Sequence, residues 1–140
     1  MKRSSFKISS IMFRELIINP VLLAVGAAVG VGVCRAAGGN PHLPEMTAAL
    51  GASLIAGEAA LIPAMLARGK STVQVAQAAF LGMVLHLLTS VVLAALVIFV
   101  MRPPQSFAFW MLAGYWITLA GVSVVLIKAV RRAKPMPAAQ

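Results

Sequence analysis

The order of polar and apolar residues divides this chain into four long apolar runs, residues 16–34, 46–67, 73–101 and 107–127, separated by short polar links. Each run has at least 19 residues, enough to cross a hydrocarbon core that needs roughly 20 residues of helix. The runs are continuously apolar instead of alternating. They therefore predict helices, which satisfy their own backbone groups in lipid, and exclude barrel strands. The expected fold is an all-α integral membrane protein with four transmembrane helices in an antiparallel bundle. Composition agrees, because 61% hydrophobic residues, 11% charged residues and a mean hydropathy of +0.95 leave too little polar surface for a domain in water.

The formal net charge of +9 matters through its distribution. Lys2, Arg3, Lys7 and Arg14 precede the first run, Arg68 and Lys70 lie between the second and third, and Lys128, Arg131, Arg132 and Lys134 follow the fourth. Only Arg35 and Arg102 fall in the alternate links. That bias places both termini in the cytoplasm, as in a multi-pass protein of a bacterial-type inner membrane, with the basic residues contacting anionic lipid. No aromatic-rich polar surface is available for bases, so a nucleic-acid partner is not expected.

Residues 1–15 put Lys7 and Arg14 on one helical face and offer Phe6, Met12 and Phe13 to another, the pattern of an interfacial amphipathic segment. The first run is longer than a signal-peptide core and is expected as a permanent span. Asn19-Pro20 reads as a helix start, with Asn19 capping and Pro20 in the first turn. Residues 131–140 are basic, then Pro- and Ala-rich, and are expected to be a disordered tail. The lone Cys34 excludes an internal disulfide and reads as a packing residue.

Small residues recur at helical spacing. Gly26 and Gly30, followed by Gly32, mark a face of the first helix; Ala49, Ser53 and Gly57 mark the second; Gly114, Thr118 and Gly121 mark the fourth. Such faces let helix backbones approach closely, either within the chain or against a partner, and a homo-oligomer stays open. Trp110 suits the outer aromatic belt, whereas Tyr115 and Trp116 lie deeper, where each needs a partner inside the bundle.

Two ionisable residues stand within the apolar runs, Glu58 in the second and His86 in the third. A charge at that depth costs several kcal/mol unless paired, neutralised or wetted, so the pair is the leading candidate for specific function. His86 belongs to a polar stripe with Gln74, Gln77, Gly82, Thr89 and Ser90 that must face protein or water. Counting from the link at residues 68–71 offsets Glu58 and His86 by about 9 Å along the axis, so contact requires tilt, a bend at Pro63, or a water between them.

Other chemistry finds little footing. His42 and Glu45 are too few ligands for a metal site, and no metal or cofactor is expected. A bis-histidine haem site needs two intramembrane histidines, and only His86 is present. No nucleophile with its base, carboxylate pair or phosphate loop can be assembled, so the chain is not expected to be an enzyme.

Over residues 46–130 the sequence resembles the ATP synthase protein I family, small four-helix membrane proteins that accompany the rotary ATP synthase. That family carries Gly-Glu-x-x-Lys on its third helix and a buried Trp on its fourth. Here Gly82-Met83-Val84-Leu85-His86 occupies the first position, with Gly82 matching the Gly and His86 standing where the Lys would be, and Trp116 matches the Trp. Met83 replaces the acid, leaving Glu58 as the intramembrane carboxylate. The resemblance implies an accessory protein that assists c-subunits to assemble into a ring, with a role in supplying divalent cations. Two alternatives remain beside it. One is ion or proton handling through Glu58 and His86, with Gln77, Thr89 and Ser90 lining the route. The other is an accessory subunit of a respiratory complex.

Overall fold

The computed structural model describes residues 17–102 and 104–133. Within them lie four helices: α1, Ile18–Ala36; α2, Leu43–Leu66; α3, Thr72–Met101; and α4, Gln105–Arg131. All four are long and apolar enough to cross a membrane. The short links turn each helix back along its predecessor, giving the antiparallel bundle the hydropathy pattern requires. The N-terminal segment 1–15 and most of the tail lie outside the described residues.

Helix boundaries follow local chemistry more than hydropathy. Helix α2 starts three residues before its apolar run, with Pro44 in the first turn, where a missing N–H costs nothing, and Glu45 beside it. Helix α4 extends past residue 127 to Arg131, so Lys128 and Arg131 stand in its last turn, at the negative end of the helix dipole. Helix α1 is closed by Gly38 and Gly39. Gly38 adopts φ +73°, its N–H bonds to Arg35 O at 3.0 Å, and the Gly39 N–H reaches back to Cys34 O at 2.8 Å. This pair of bonds satisfies orphan carbonyls and needs the left-handed residue that glycine supplies.

Helices α2 and α4 form the central pair. Helix α3 packs chiefly on α2, and α1 chiefly on α4, so the two flank the pair. Lipid supplies no hydrophobic drive for this assembly; close van der Waals fit and hydrogen bonds must hold it. The buried face of α2 is accordingly Ala49, Ala52, Ser53, Ala56, Gly57, Ala60 and Ala64, nearly all small. Two apolar clusters result. One, toward the end with the α2–α3 link, gathers Leu61, Ala64, Ala79, Val122, Val125 and Leu126. The other, toward the opposite end, gathers Met46, Ala49, Ala52, Phe107, Trp110 and Met111. Between them lies a layer of buried polar side chains and glycines.

The glycine faces predicted from sequence are occupied within the chain. A Cβ on Gly26 would strike the Ile117 side chain, and one on Gly30 would lie 2.6 Å from the Trp110 ring. One on Gly114 would lie 2.5 Å from Ser53 Oγ, and one on Gly82 would strike the Ala60 carbonyl oxygen. Gly32 and Gly51, by contrast, meet nothing within 4 Å.

The aromatic residues of α4 depart from expectation. Trp110 is the buried tryptophan, 5% exposed, and its Nε1–H donates to Pro41 O at 3.0 Å, tying α4 to the link before α2. Trp116 is 62% exposed and turns away from the bundle. The deep tryptophan therefore needs no interior partner, and the buried-Trp position implied by the resemblance is not filled by Trp116.

Candidate functional site at a buried polar layer

Asn19 is the least anticipated member of the layer. It does not cap α1; Ile17 holds that position, without a side-chain bond, and Asn19 sits inside the first turn. Its side chain is fully buried between two glycines of the central helices. A Cβ on Gly57 would lie 3.2 Å from Asn19 Nδ2, and one on Gly121 would strike Asn19 Oδ1. The amide thus fills a slot that any larger residue at either position would close. From there Asn19 Nδ2–H donates to Glu58 Oε1 at 3.3 Å.

Glu58 lies eight residues before the end of α2, about 12 Å along the axis. It is half-buried and shares a stripe with Gly51, Ile55, Ile62 and Leu66, all exposed. This is the outward flank of α2. Glu58 Oε2 is buried and has no hydrogen-bond partner. A carboxyl held so is stabilised on one oxygen by the Asn19 amide, leaving the other able to accept a further donor or carry a proton.

His86 belongs to a different contact. It is fully buried on α3, its Nε2 is 3.0 Å from Thr118 Oγ1, and its ring stacks on Tyr115 with centroids 5.0 Å apart. Thr118 Oγ1 donates its single proton back along α4, to Gly114 O at 2.9 Å with Tyr115 O at 3.1 Å. The hydroxyl must then accept from the imidazole. This assigns the Nε2–H tautomer to His86 and leaves Nδ1, which has no partner, as a bare acceptor inside the bundle.

Glu58 and His86 are therefore not bonded to each other. Gly57 stands between their partners, because a Cβ there would meet both Asn19 Nδ2 and Thr118 Cβ, the latter at 3.3 Å. Two hydrogen-bonded pairs, Asn19 with Glu58 and Thr118 with His86, share one glycine.

The polar stripe expected on α3 divides. Gly82, His86 and Ser90, spaced by four, face the bundle and are buried. Gln74 and Gln77 are exposed, and Thr89 is half-buried beside the stripe. Gln77 thus lies outside the layer that holds His86. Ser90 Oγ is buried without a partner, and Ser90 lines a 310 Å³ groove between α3 and α4 with Leu87, Ala94, Phe107, Met111 and Tyr115. Among the packing residues, Ser53 back-bonds to Ala49 O at 2.9 Å and lies 3.8 Å from Met111 Sδ, which fastens α2 to α4.

A second groove, 230 Å³, opens between α1 and α2 and is lined by Pro20, Ala24, Ala27, Leu50, Gly51 and Leu54 with Leu23. Its Leu54 end lies one turn from Glu58. Among the described residues, no three His, Cys, Asp or Glu side chains converge.

No family profile, curated protein or solved structure matches this chain.

Proposed function

We propose that this protein is an accessory or assembly subunit that holds a transmembrane helix of a larger membrane complex. The observation that carries this reading is the open groove between α1 and α2. The small-residue contacts at Gly26, Gly30, Gly57, Gly82, Gly114 and Gly121 are closed within the chain, yet Ala24, Ala27 and Gly51 leave a shallow channel along the membrane face. Small residues let a partner backbone approach closely, the condition for helix association where lipid supplies no hydrophobic drive. Glu58, on the same exposed stripe as Gly51, adds an acceptor at a defined depth.

The c-subunits of the F-type ATP synthase are the first candidate partner, on the resemblance carried by Gly82 and His86. Arg68 and Lys70 in the link after α2, and Lys128 and Arg131 in the last turn of α4, support an orientation with both termini in the cytoplasm of a bacterial-type cell. Ion or proton handling is the weaker reading: the α3–α4 groove beside Ser90 and the α1–α2 groove beside Leu54 are lined mainly by apolar side chains, and neither is lined by Glu58 or His86.

The experiment is gentle solubilisation from the native membrane followed by mass spectrometry of the co-purified proteins. Gly51→Leu and Ala24→Leu should release the partner while the bundle stays folded, and Gly32→Leu should retain it. Recovery of a respiratory complex instead of c-subunits would keep the helix-holding role and change the partner. Retention of the same partner by all three variants would remove the groove from the interaction.

A further inference from the structure

A second charged constellation lies at the other end of the bundle, where the first turns of α2 meet the end of α3 and the start of α4. Glu45 stands in the first turn of α2, and Arg102 follows the last residue of α3. Both line a 150 Å³ cavity, walled by Pro44, Val97, Pro104 and Phe107 among others. Glu45 Oε2 is buried without a hydrogen-bond partner, and no ion pair joins it to Arg102. The Arg102 backbone is held in the left-handed region, at φ 44° and ψ 54°, with its N–H bonded to Ile98 O at 3.1 Å. That conformation is uncommon outside glycine, Asn and Asp, and it fixes the root of the guanidinium at the cavity rim.

An acid in a helix's first turn is ordinarily accounted for by the helix dipole. The dipole does not account for a carboxylate with one oxygen buried and unsatisfied that lines the same cavity as an arginine. A cation alone would meet Arg102 there, and an anion alone would meet Glu45. A zwitterion meets neither objection.

We propose that this cavity binds a phosphoethanolamine group, its ammonium on Glu45 and its phosphate against Arg102. A primary ammonium brings three N–H donors, which the Glu45 carboxylate can accept, and a guanidinium matches phosphate oxygens in a fork. A choline headgroup has no N–H and cannot satisfy the carboxylate. The apolar wall of Val97, Met101 and Phe107 suits the glycerol and first methylenes of a lipid, and the cavity lies where the helices end. The group can come from an aminophospholipid or from free phosphoethanolamine.

The test is native mass spectrometry of the intact protein exchanged into micelles holding equal phosphatidylethanolamine, phosphatidylcholine and phosphatidylglycerol with identical chains. A second arm measures displacement by free phosphoethanolamine. The wild type should retain phosphatidylethanolamine several-fold over phosphatidylcholine. Glu45→Gln should abolish that preference with helical circular dichroism unchanged, and Arg102→Gln should lower retention of both aminophospholipid and free phosphoethanolamine. Tight binding of the free compound with no lipid selection would support the same site with a soluble source. Selection that survives Glu45→Gln, or retention of phosphatidylglycerol alone, would overturn the proposal.

Discussion

Asn19 reaches from the first turn of α1 into the slot between Gly57 and Gly121 and donates to Glu58 Oε1 across 3.3 Å. One amide therefore fixes three helices and one intramembrane carboxyl. Asn19→Ala removes the donor and empties the slot, so it should lower stability in mild detergent by about 1–3 kcal/mol, the cost of stranding a buried polar partner. Glu58→Gln keeps an oxygen that accepts from Asn19 and should cost less than about 1 kcal/mol. Reversible unfolding of both variants checks the pair. Equal losses in the two would contradict a role for the amide-to-carboxyl bond.

Glycine substitutions should divide by location. Gly57→Ala, Gly82→Ala and Gly121→Ala each force a methyl group against a side chain or carbonyl in a close-packed interface, at about 1–3 kcal/mol apiece. Gly51→Ala, in open space, should stay within about 1 kcal/mol of wild type and gain from helix propensity. Unfolding midpoints of the four variants give the comparison.

The His86 and Thr118 contact should appear as pairwise coupling. A double-mutant cycle with His86→Phe and Thr118→Val should give a coupling of about 0.6–1.7 kcal/mol, the range of interhelical hydrogen bonds in membranes. A cycle of His86→Phe with Glu58→Gln should couple more weakly, since no bond joins them. Nitrogen NMR of the imidazole should find the proton on Nε2 and Nδ1 bare. A proton on Nδ1 would reverse the donor assignment.

Much of the fold was readable from hydropathy because each span is a single long apolar run, and lipid forbids any backbone but helix there. The glycine faces were readable as packing surfaces, but not as intramolecular ones; spacing says that a backbone can come close and not whose it is. Asn19 departs from its local signature for a physical reason. An Asn before Pro at the start of an apolar run has the local signature of a cap, and only the antiparallel return of α2 brings Glu58 level with it. The exposure of Gln77 and Trp116 was likewise hidden, because polar and aromatic side chains near helix ends or in lipid are not compelled inward. Thr118 was readable as a small residue on α4, whereas its pairing with His86 depends on the rotation of α3 about its own axis.

The two tryptophans should separate by fluorescence. Trp116→Phe leaves Trp110, whose emission should be shielded from a brominated-lipid quencher. Trp110→Phe leaves Trp116, which should be strongly quenched, and it also breaks the bond to Pro41 O. The loss of that bond should cost about 1 kcal/mol more than the loss of Trp116.

The central claim, that the groove between α1 and α2 holds a partner helix, is tested most directly by site-specific photocrosslinking in native membranes. A photoreactive residue at Gly51 or Ala24 should form an adduct with one membrane protein, a c-subunit by the first expectation. The same group at Val92, on the exposed face of α3, should give lipid adducts. Lipid adducts alone at all three positions would contradict the account.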